Sequence, residues 1–222
     1  MTIAYSEVGF YCELNETQIL NLVIENQQIF SNIISDIYYQ INGGSGKFVL
    51  SDNNNPLDLK KNVELVTQII PFEINQRELL NKLYAELKNI SVDGKNYQLT
   101  QQLFSDISSY VYTLTEDLEN DISVDVPQDI NGILKMLGIR FTEHGTELTD
   151  KILEYMIAVN KFKGGRVFIF VNLRSYLTDS QIGLLYKDIL LRKMTVICIE
   201  SSDHKHLPNT KTIIIDKDMC II

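Results

Sequence analysis

The sequence predicts an α/β protein, a parallel-sheet head interrupted by an inserted α-helical leg. Three observations carry this reading. Two runs near the C-terminus, RVFIFVN (166–172) and MTVICIE (194–200), are apolar without alternation, and a helical stretch separates them. That is the pattern of strands buried on both faces in a parallel sheet. The middle of the chain shows helical apolar periodicity instead. Charge changes with it: residues 1–100 carry a net −5, residues 101–150 a net −8 and residues 151–222 a net +4, and Asn96 to Leu134 holds no Lys or Arg. A segment with its own charge character marks a module set between two halves of another domain. The expected boundaries are 1–60 for the first part of the head, 61–146 for the leg and 147–222 for the rest of the head.

The elements follow in order. Ile19 to Ile24 is strand-like, and Asn26 is placed to cap a helix with apolar positions Ile29, Phe30, Ile33, Ile34, Ile37, Tyr38 and Ile41. GGSG at 43–46 stops that helix, KFVLS reads as a short strand, and SDNNNPLD at 51–58 is turn chemistry. Val63 to Ile70 is apolar and fits either helix or strand. Asn75 with Glu78 has the spacing of a capping box before Leu79, Leu80, Leu83, Tyr84 and Leu87. After the turn SVDGKNYQ, the residues Leu99, Leu103, Ile107, Tyr110, Val111, Leu114 and Leu118 mark a long amphipathic helix. An acidic extended connection with Pro127 leads to a short helix at 130–137, which Gly138 ends. Leu148 to Val159 forms a helix stopped by Gly164 and Gly165, and Thr178 caps another through Leu191. KTIIID is a third candidate strand. Strand, helix, strand at this spacing is a right-handed parallel crossover.

Composition sets limits. The chain has 222 residues, a net charge of −9 and 45% hydrophobic residues, enough apolar content for a sizeable core. No apolar run approaches the ~20 residues of a membrane span. The N-terminus has no basic stretch of the signal-peptide kind. An acidic total argues against a uniformly basic nucleic-acid coat but is compatible with a local basic groove. Cys12, Cys198 and Cys220 have no metal-like spacing, and Cys198 lies in an apolar run, so the expected chain is reduced and cytoplasmic. His204 and His206 in DHKH read as a solvated loop.

Candidate chemistry is sparse. GGSGK at 43–47 lacks the features of a phosphate loop. Phe48 stands where the magnesium-binding hydroxyl belongs, Ile41 stands where the first glycine belongs, and a helix precedes the loop where a strand should. RVFIFVN resembles the buried strand that presents an acid to magnesium in nucleoside triphosphatases, but it ends in Asn172-Leu173-Arg174. Glu116, Asp117, Glu119, Asp121, Asp125 and Asp129 crowd into 14 residues on irregular sequence, a composition that calcium favours, although spacing alone reads as a solvated acidic loop. Lys60, Lys61, Arg77, Lys82, Lys88 and Lys95 interleave with acids and read as a solvated face, unless an oligomer gathers them into a phosphate-contacting wall.

The order of these elements resembles the small accessory adaptation protein of type II-A CRISPR systems, the ring-forming, DNA-end-binding member of the Csn group. The resemblance covers roughly residues 14–218. It rests on VELVTQIIPFEINQRELLNKLYAEL (63–87), INGILKMLGIRF (130–141) and FKGGRVFIFVNLRSYLTDSQIGLLYKDILLRKMTVICIES (162–201). In the last of these, Tyr176, Leu177, Thr178 and Asp179 hold the family's places after the buried strand. The resemblance implies a head related to nucleoside triphosphatase heads without their catalytic loop, and a helical leg. It implies a homotetrameric ring with a basic hole that threads onto double-stranded DNA ends without sequence preference, and no enzymatic activity. It implies Ca2+ as the bound ion, for which Glu119, Asp121, Asp125 and Asp129 are the candidates, and Lys60, Lys61, Arg77, Lys82 and Lys88 as candidate DNA contacts. It implies a role in spacer acquisition beside the adaptation integrase and the RNA-guided effector nuclease. Here Pro127 and sparser Asp residues replace the family's Glu-rich run. Two other functions compete: a divergent phosphate-loop nucleotide hydrolase, and a calcium-dependent protein scaffold without direct DNA contact.

Overall fold

A computed structural model describes residues 1–116, 118, 122, 123, 125 and 129–222. The chain forms two units, one of Met1–Ile74 with Glu143–Ile222 and one of Asn75–Thr142. The first unit opens with β1 (Thr2–Tyr5), β2 (Phe10–Glu13), β3 (Ile19–Ile24), α1 (Gln27–Ile41), β4 (Phe48–Asp52), β5 (Asn55–Pro56), α2 (Leu59–Asn62) and β6 (Val63–Val66). The second unit holds α3 (Arg77–Ser91), α4 (Gly94–Thr115) and α5 (Asn131–Met136). The first unit then resumes with α6 (Leu148–Lys163), β7 (Val167–Val171), a 3-10 turn at Leu173–Ser175, α7 (Asp179–Leu191), β8 (Val196–Glu200) and β9 (Thr210–Ile215).

The first unit is built on a five-stranded sheet of order β6-β7-β8-β3-β9. Every pairing in it is parallel, with Val63 opposite Val167, Phe168 opposite Val196, and Leu20 opposite both Ile197 and Lys211. The apolar runs 166–172 and 194–200 thus supply two adjacent strands, and α7 is their crossover. Alternation along the strands divides the side chains between two faces. On one face Leu20, Leu22, Ile24, Ile169, Ile197 and Ile199 pack with Ile29, Ile33 and Ile37 of α1. The opposite face carries Asn21, Phe168, Phe170, Cys198 and Glu200, all buried.

The helix starts follow from their caps. The Asn26 side chain accepts the N–H groups of Gln28 and Ile29, both at 3.1 Å. Thr178 and Gln181 form a full capping box at the head of α7. Gly164, at φ +85°, takes the chain out of α6 in a conformation a side chain would strain.

Three features depart from the sequence reading. Residues 1–18, read without elements, supply β1 and β2, which join β4 and β5 in a second, antiparallel sheet of order β2-β1-β4-β5. Its inward residues Ile3, Tyr5, Phe10, Cys12, Phe48 and Leu50 belong to the same core as α1. Residues 61–74 and 143–146, expected in the leg, belong to the first unit. The reason for 61–74 is that Val63–Val66 is a strand whose backbone pairs with β7. Finally, the cap position of α3 falls one residue after Asn75. The cap is Gln76, without a side-chain hydrogen bond. The Asn75 amide donates to the Phe141 carbonyl at 3.1 Å and accepts the Phe141 N–H at 2.9 Å.

The second unit is a hairpin of α3 and α4 with α5 beside it. Its buried residues on α4 are Thr100, Phe104 and Ser108. The stripe expected to form the seam is largely exposed: Leu99 by 64%, Leu103 by 40%, Tyr110 by 64% and Leu114 by 58%. Thr100 donates to the Ser91 carbonyl and Ser108 to the Phe104 carbonyl, so the small polar positions of α4 are the ones that turn inward.

Candidate functional site

Open α/β sheets bind ligands beyond the carboxyl ends of their strands, where a helix N-terminus offers free N–H groups to phosphate. In this protein that place lies between β3 and α1, and only Glu25 and Asn26 connect them. No glycine-rich turn separates strand from helix. The Asn26 oxygen already takes the first free amides of α1, and its own amide group donates to the Lys217 carbonyl at 2.9 Å. GGSGK at 43–47 lies at the other end of α1. There the Lys47 ammonium holds Glu7 at 2.8 Å, and its backbone N–H donates to Asp36. That pairing pushes the lysine above its ordinary range and holds the Glu7 carboxyl below its own. Lys47 is a fastener between α1, β4 and the β1–β2 turn.

The carboxyl ends of β7 and β8 are closed by the chain itself. Asn172, at φ +52°, accepts the Ser201 N–H at 2.9 Å. Arg174 is buried, donating to Asp179 at 2.6 Å and to the Lys205 carbonyl at 2.8 Å. Its backbone N–H meets the buried Glu200 carboxylate at 3.1 Å. Burial pushes the Glu200 carboxyl up to about 7, against the pull of Arg174. Behind it, Tyr186 bridges Asn21 and Cys198 at 3.1 and 3.2 Å, and burial pushes the Cys198 thiol up to about 12. Sequence reasoning missed this cluster. Its one visible sign was a glutamate ending an otherwise apolar strand.

The other expected site residues fall as follows. Glu119 and Asp121 lie outside the described residues. Asp125 is exposed. Asp129 has both oxygens engaged within the second unit, one by Lys88 at 3.0 Å and the other by the Asn131 N–H at 2.9 Å. The Lys88 ammonium, helped by that N–H, holds the Asp129 carboxyl below its usual range. Among the described residues no three His, Cys, Asp or Glu side chains converge to hold a metal ion, so the described part of the acidic segment does not by itself make a calcium shell. Lys60 and Lys61 are exposed on α2 of the first unit, where the Lys60 carbonyl accepts from Arg166 at 2.9 Å. Arg77 and Lys82 are exposed on α3. Lys88 is committed to Asp129. No described helix is long and apolar enough to cross a membrane.

These features define a class: an α/β head on a parallel five-stranded sheet, whose turn from β3 into α1 is closed by the helix's own cap, carrying a separate helical unit in mid-chain. The profile of the CRISPR-associated protein (Cas_Csn2) family matches residues 40–219, and the chain belongs to that family. It is 23% identical over 203 residues to the CRISPR-associated protein Csn2 of Streptococcus agalactiae, covering 90% of this chain and 89% of that one. The Csn2 of Enterococcus faecalis is 23% identical over 184 residues, 81% of each chain. In fold it is similar to the crystal structure of Stu0660 of Streptococcus thermophilus, with a TM-score of 0.59 and 10% identity, covering 96% of this chain and 74% of that one.

Proposed function

We propose that this CRISPR-associated protein is a non-enzymatic clamp for double-stranded DNA ends, acting as a homotetrameric ring in spacer acquisition. It would work in the cytoplasm beside the adaptation integrase and the RNA-guided effector nuclease of a type II-A system. Family membership supports the CRISPR role. The structural observation that carries the assembly is the exposed stripe Leu99, Leu103, Tyr110 and Leu114 on α4. A contiguous apolar helix face of this kind is characteristic of surfaces that associate. The Asn26 cap in the phosphate position supports the non-enzymatic reading over the nucleotide hydrolase.

In a ring, exposed Lys60, Lys61, Arg77 and Lys82 meet backbone phosphates, which makes affinity salt-dependent and blind to sequence. Lys88 takes the structural role of holding Asp129. Calcium enters through Asp125 together with Glu119 and Asp121, on a segment without Lys or Arg to neutralise them. The test compares binding of linear and closed-circular duplex across salt concentrations, with calcium and with chelator. Retention of linear duplex alone, weakened by salt and by chelator, supports the clamp. Equal binding of both forms removes the end-threading mechanism, and no binding of either favours the protein scaffold.

A further inference from the structure

Two titratable side chains at the carboxyl end of the parallel sheet have no part in the reading above. Glu200 ends β8 and is 1% exposed. Its Oε1 accepts the Arg174 N–H and the Leu173 N–H also steadies the carboxylate, while its Oε2 has no hydrogen-bond partner of good geometry. His204 lies four residues on, in the connection to β9, with Nε2 at 3.7 Å from that oxygen. That nitrogen is also buried and without a partner. The space bounded by Asn21, Val23, Arg174, Glu200, Asp203, His204 and Thr212 measures ≈ 10 Å³, at the lower limit for one water molecule. Two buried polar atoms left unmatched would be costly, and at 3.7 Å a closure of about half an ångström brings each within hydrogen-bond reach of the other.

We propose that Glu200 and His204 share one hydrogen and so form an acid-sensitive latch, which holds the β8–β9 connection (residues 201–209) on the end of the sheet. One hydrogen between Oε2 and Nε2 satisfies both atoms, and it can come from either side. The neutral imidazole donates to the carboxylate, or the carboxylic acid donates to the imidazole. Acid adds a second hydrogen to the same gap. Two donors then face each other and the contact is lost.

The charged and titratable groups around the pair set where this happens. Arg174 faces it from the 3-10 turn, with Asp179 of α7 bound to the guanidinium. Asp203 accepts the His204 backbone N–H at 2.9 Å and lies 3.3 Å from His206 Nε2. Cys198 and Tyr186, beneath Glu200, are held neutral by burial. Burial and Arg174 hold His204 below the ordinary histidine range, so release falls on the acid side of it. The connection would then keep its ends, Ser201 on Asn172 and the Asn209 carbonyl on the Ile19 N–H, with Arg174 on the Lys205 carbonyl between them, and would change how it presents Lys205 and His206.

The test is amide hydrogen exchange of Ser201 and His204, the two amides of the connection that donate hydrogen bonds, in the full chain, corrected for intrinsic pH dependence, from about pH 8 to about pH 5. The parent should lose protection about tenfold in acid, the factor carried by one buried hydrogen bond. His204→Gln should keep its protection throughout, because its amide takes up no proton and presents N–H or C=O to Glu200 Oε2 by turning over. His204→Ala should be unprotected at every pH while β8 and β9 stay protected. His206→Ala should release like the parent. A flat profile in the parent overturns the latch, as does acid release in His204→Gln equal to the parent's. If His204→Ala disturbs the strands as well, the comparison of parent with His204→Gln decides.

Discussion

Asn75 and Phe141, 66 residues apart, clasp the two ends of the helical unit. The Asn75 side chain gives and takes one hydrogen bond with the Phe141 backbone, at 3.1 and 2.9 Å. A primary amide carries donor and acceptor side by side, so it pairs with a peptide as another peptide would. The clasp closes the unit where the chain enters and leaves it.

Asn75→Ala should therefore loosen the second unit. Both Phe141 groups are partly buried, so the expected loss is about 1–2 kcal/mol. Asn75→Asp should cost a similar amount, because the carboxylate cannot donate to the carbonyl. Hydrogen exchange should show the loss in residues 75–142, with the five-stranded sheet unchanged. Uniform loss across the chain would mean that the clasp serves the whole fold.

The two faces of α4 should respond differently. Phe104 is 4% exposed, and Phe104→Ala should cost about 3 kcal/mol through the cavity it leaves. Leu103→Asp and Tyr110→Asp place charge on an already exposed stripe and should leave the melting temperature of a single copy within a few degrees. On the proposed assembly they should weaken self-association, read by sedimentation velocity. If both Asp variants sediment like the parent, the stripe is not the assembling surface.

For DNA, the prediction concerns slope as well as strength. Each lysine contacting a phosphate contributes ~0.9 to the dependence of log affinity on log salt. Replacing Lys60, Lys61 and Lys82 with alanine one at a time should lower that slope by about one unit for each true contact, equally for unrelated sequences. Lys88→Ala should act through the leg instead, since its ammonium is engaged with Asp129. An unchanged slope on losing a lysine would remove that residue from the contact surface.

Glu200 makes stability depend on pH. Its folded value of about 7 lies above the ordinary 4.5. The folded state therefore binds its proton more tightly than the unfolded state. The stability this brings is complete below about pH 4.5 and is lost as pH rises through about 7. Glu200→Gln removes the titration, so it should be more stable than the parent above pH 7, by about 2 kcal/mol or less. The advantage should vanish in acid. Denaturant melts at about pH 5 and about pH 8.5 check this, and an advantage of equal size at both would mean that packing, not ionisation, separates the two chains.

Much of the fold is legible in the sequence because the signals are local. Asn26 caps α1, Thr178 with Gln181 caps α7, and Ile29, Ile33 and Ile37 repeat at helical spacing, since a helix closes its hydrogen bonds within a few residues. The strands β3, β7 and β8 are legible because burial on both faces leaves an unbroken apolar run. The failure of GGSGK as a phosphate loop is legible in the same way, from Phe48 and the missing first glycine. What tertiary structure decided is everything that depends on a distant partner. β1 and β2 have four residues each and become strands only by pairing with one another and with β4. Val63–Val66 is a strand because β7 lies beside it. The apolar periodicity of α4 is written in the sequence, but the face that meets α3 is set by close approach at Thr100, Phe104 and Ser108, which leaves the larger stripe outside. Asn75 has the spacing of a helix cap and serves Phe141, because an amide finds its best complement in whatever backbone the fold brings to it. Glu200 and His204 are four residues apart, yet their opposition requires β8 to end against the 3-10 turn and Arg174 to close the space around them.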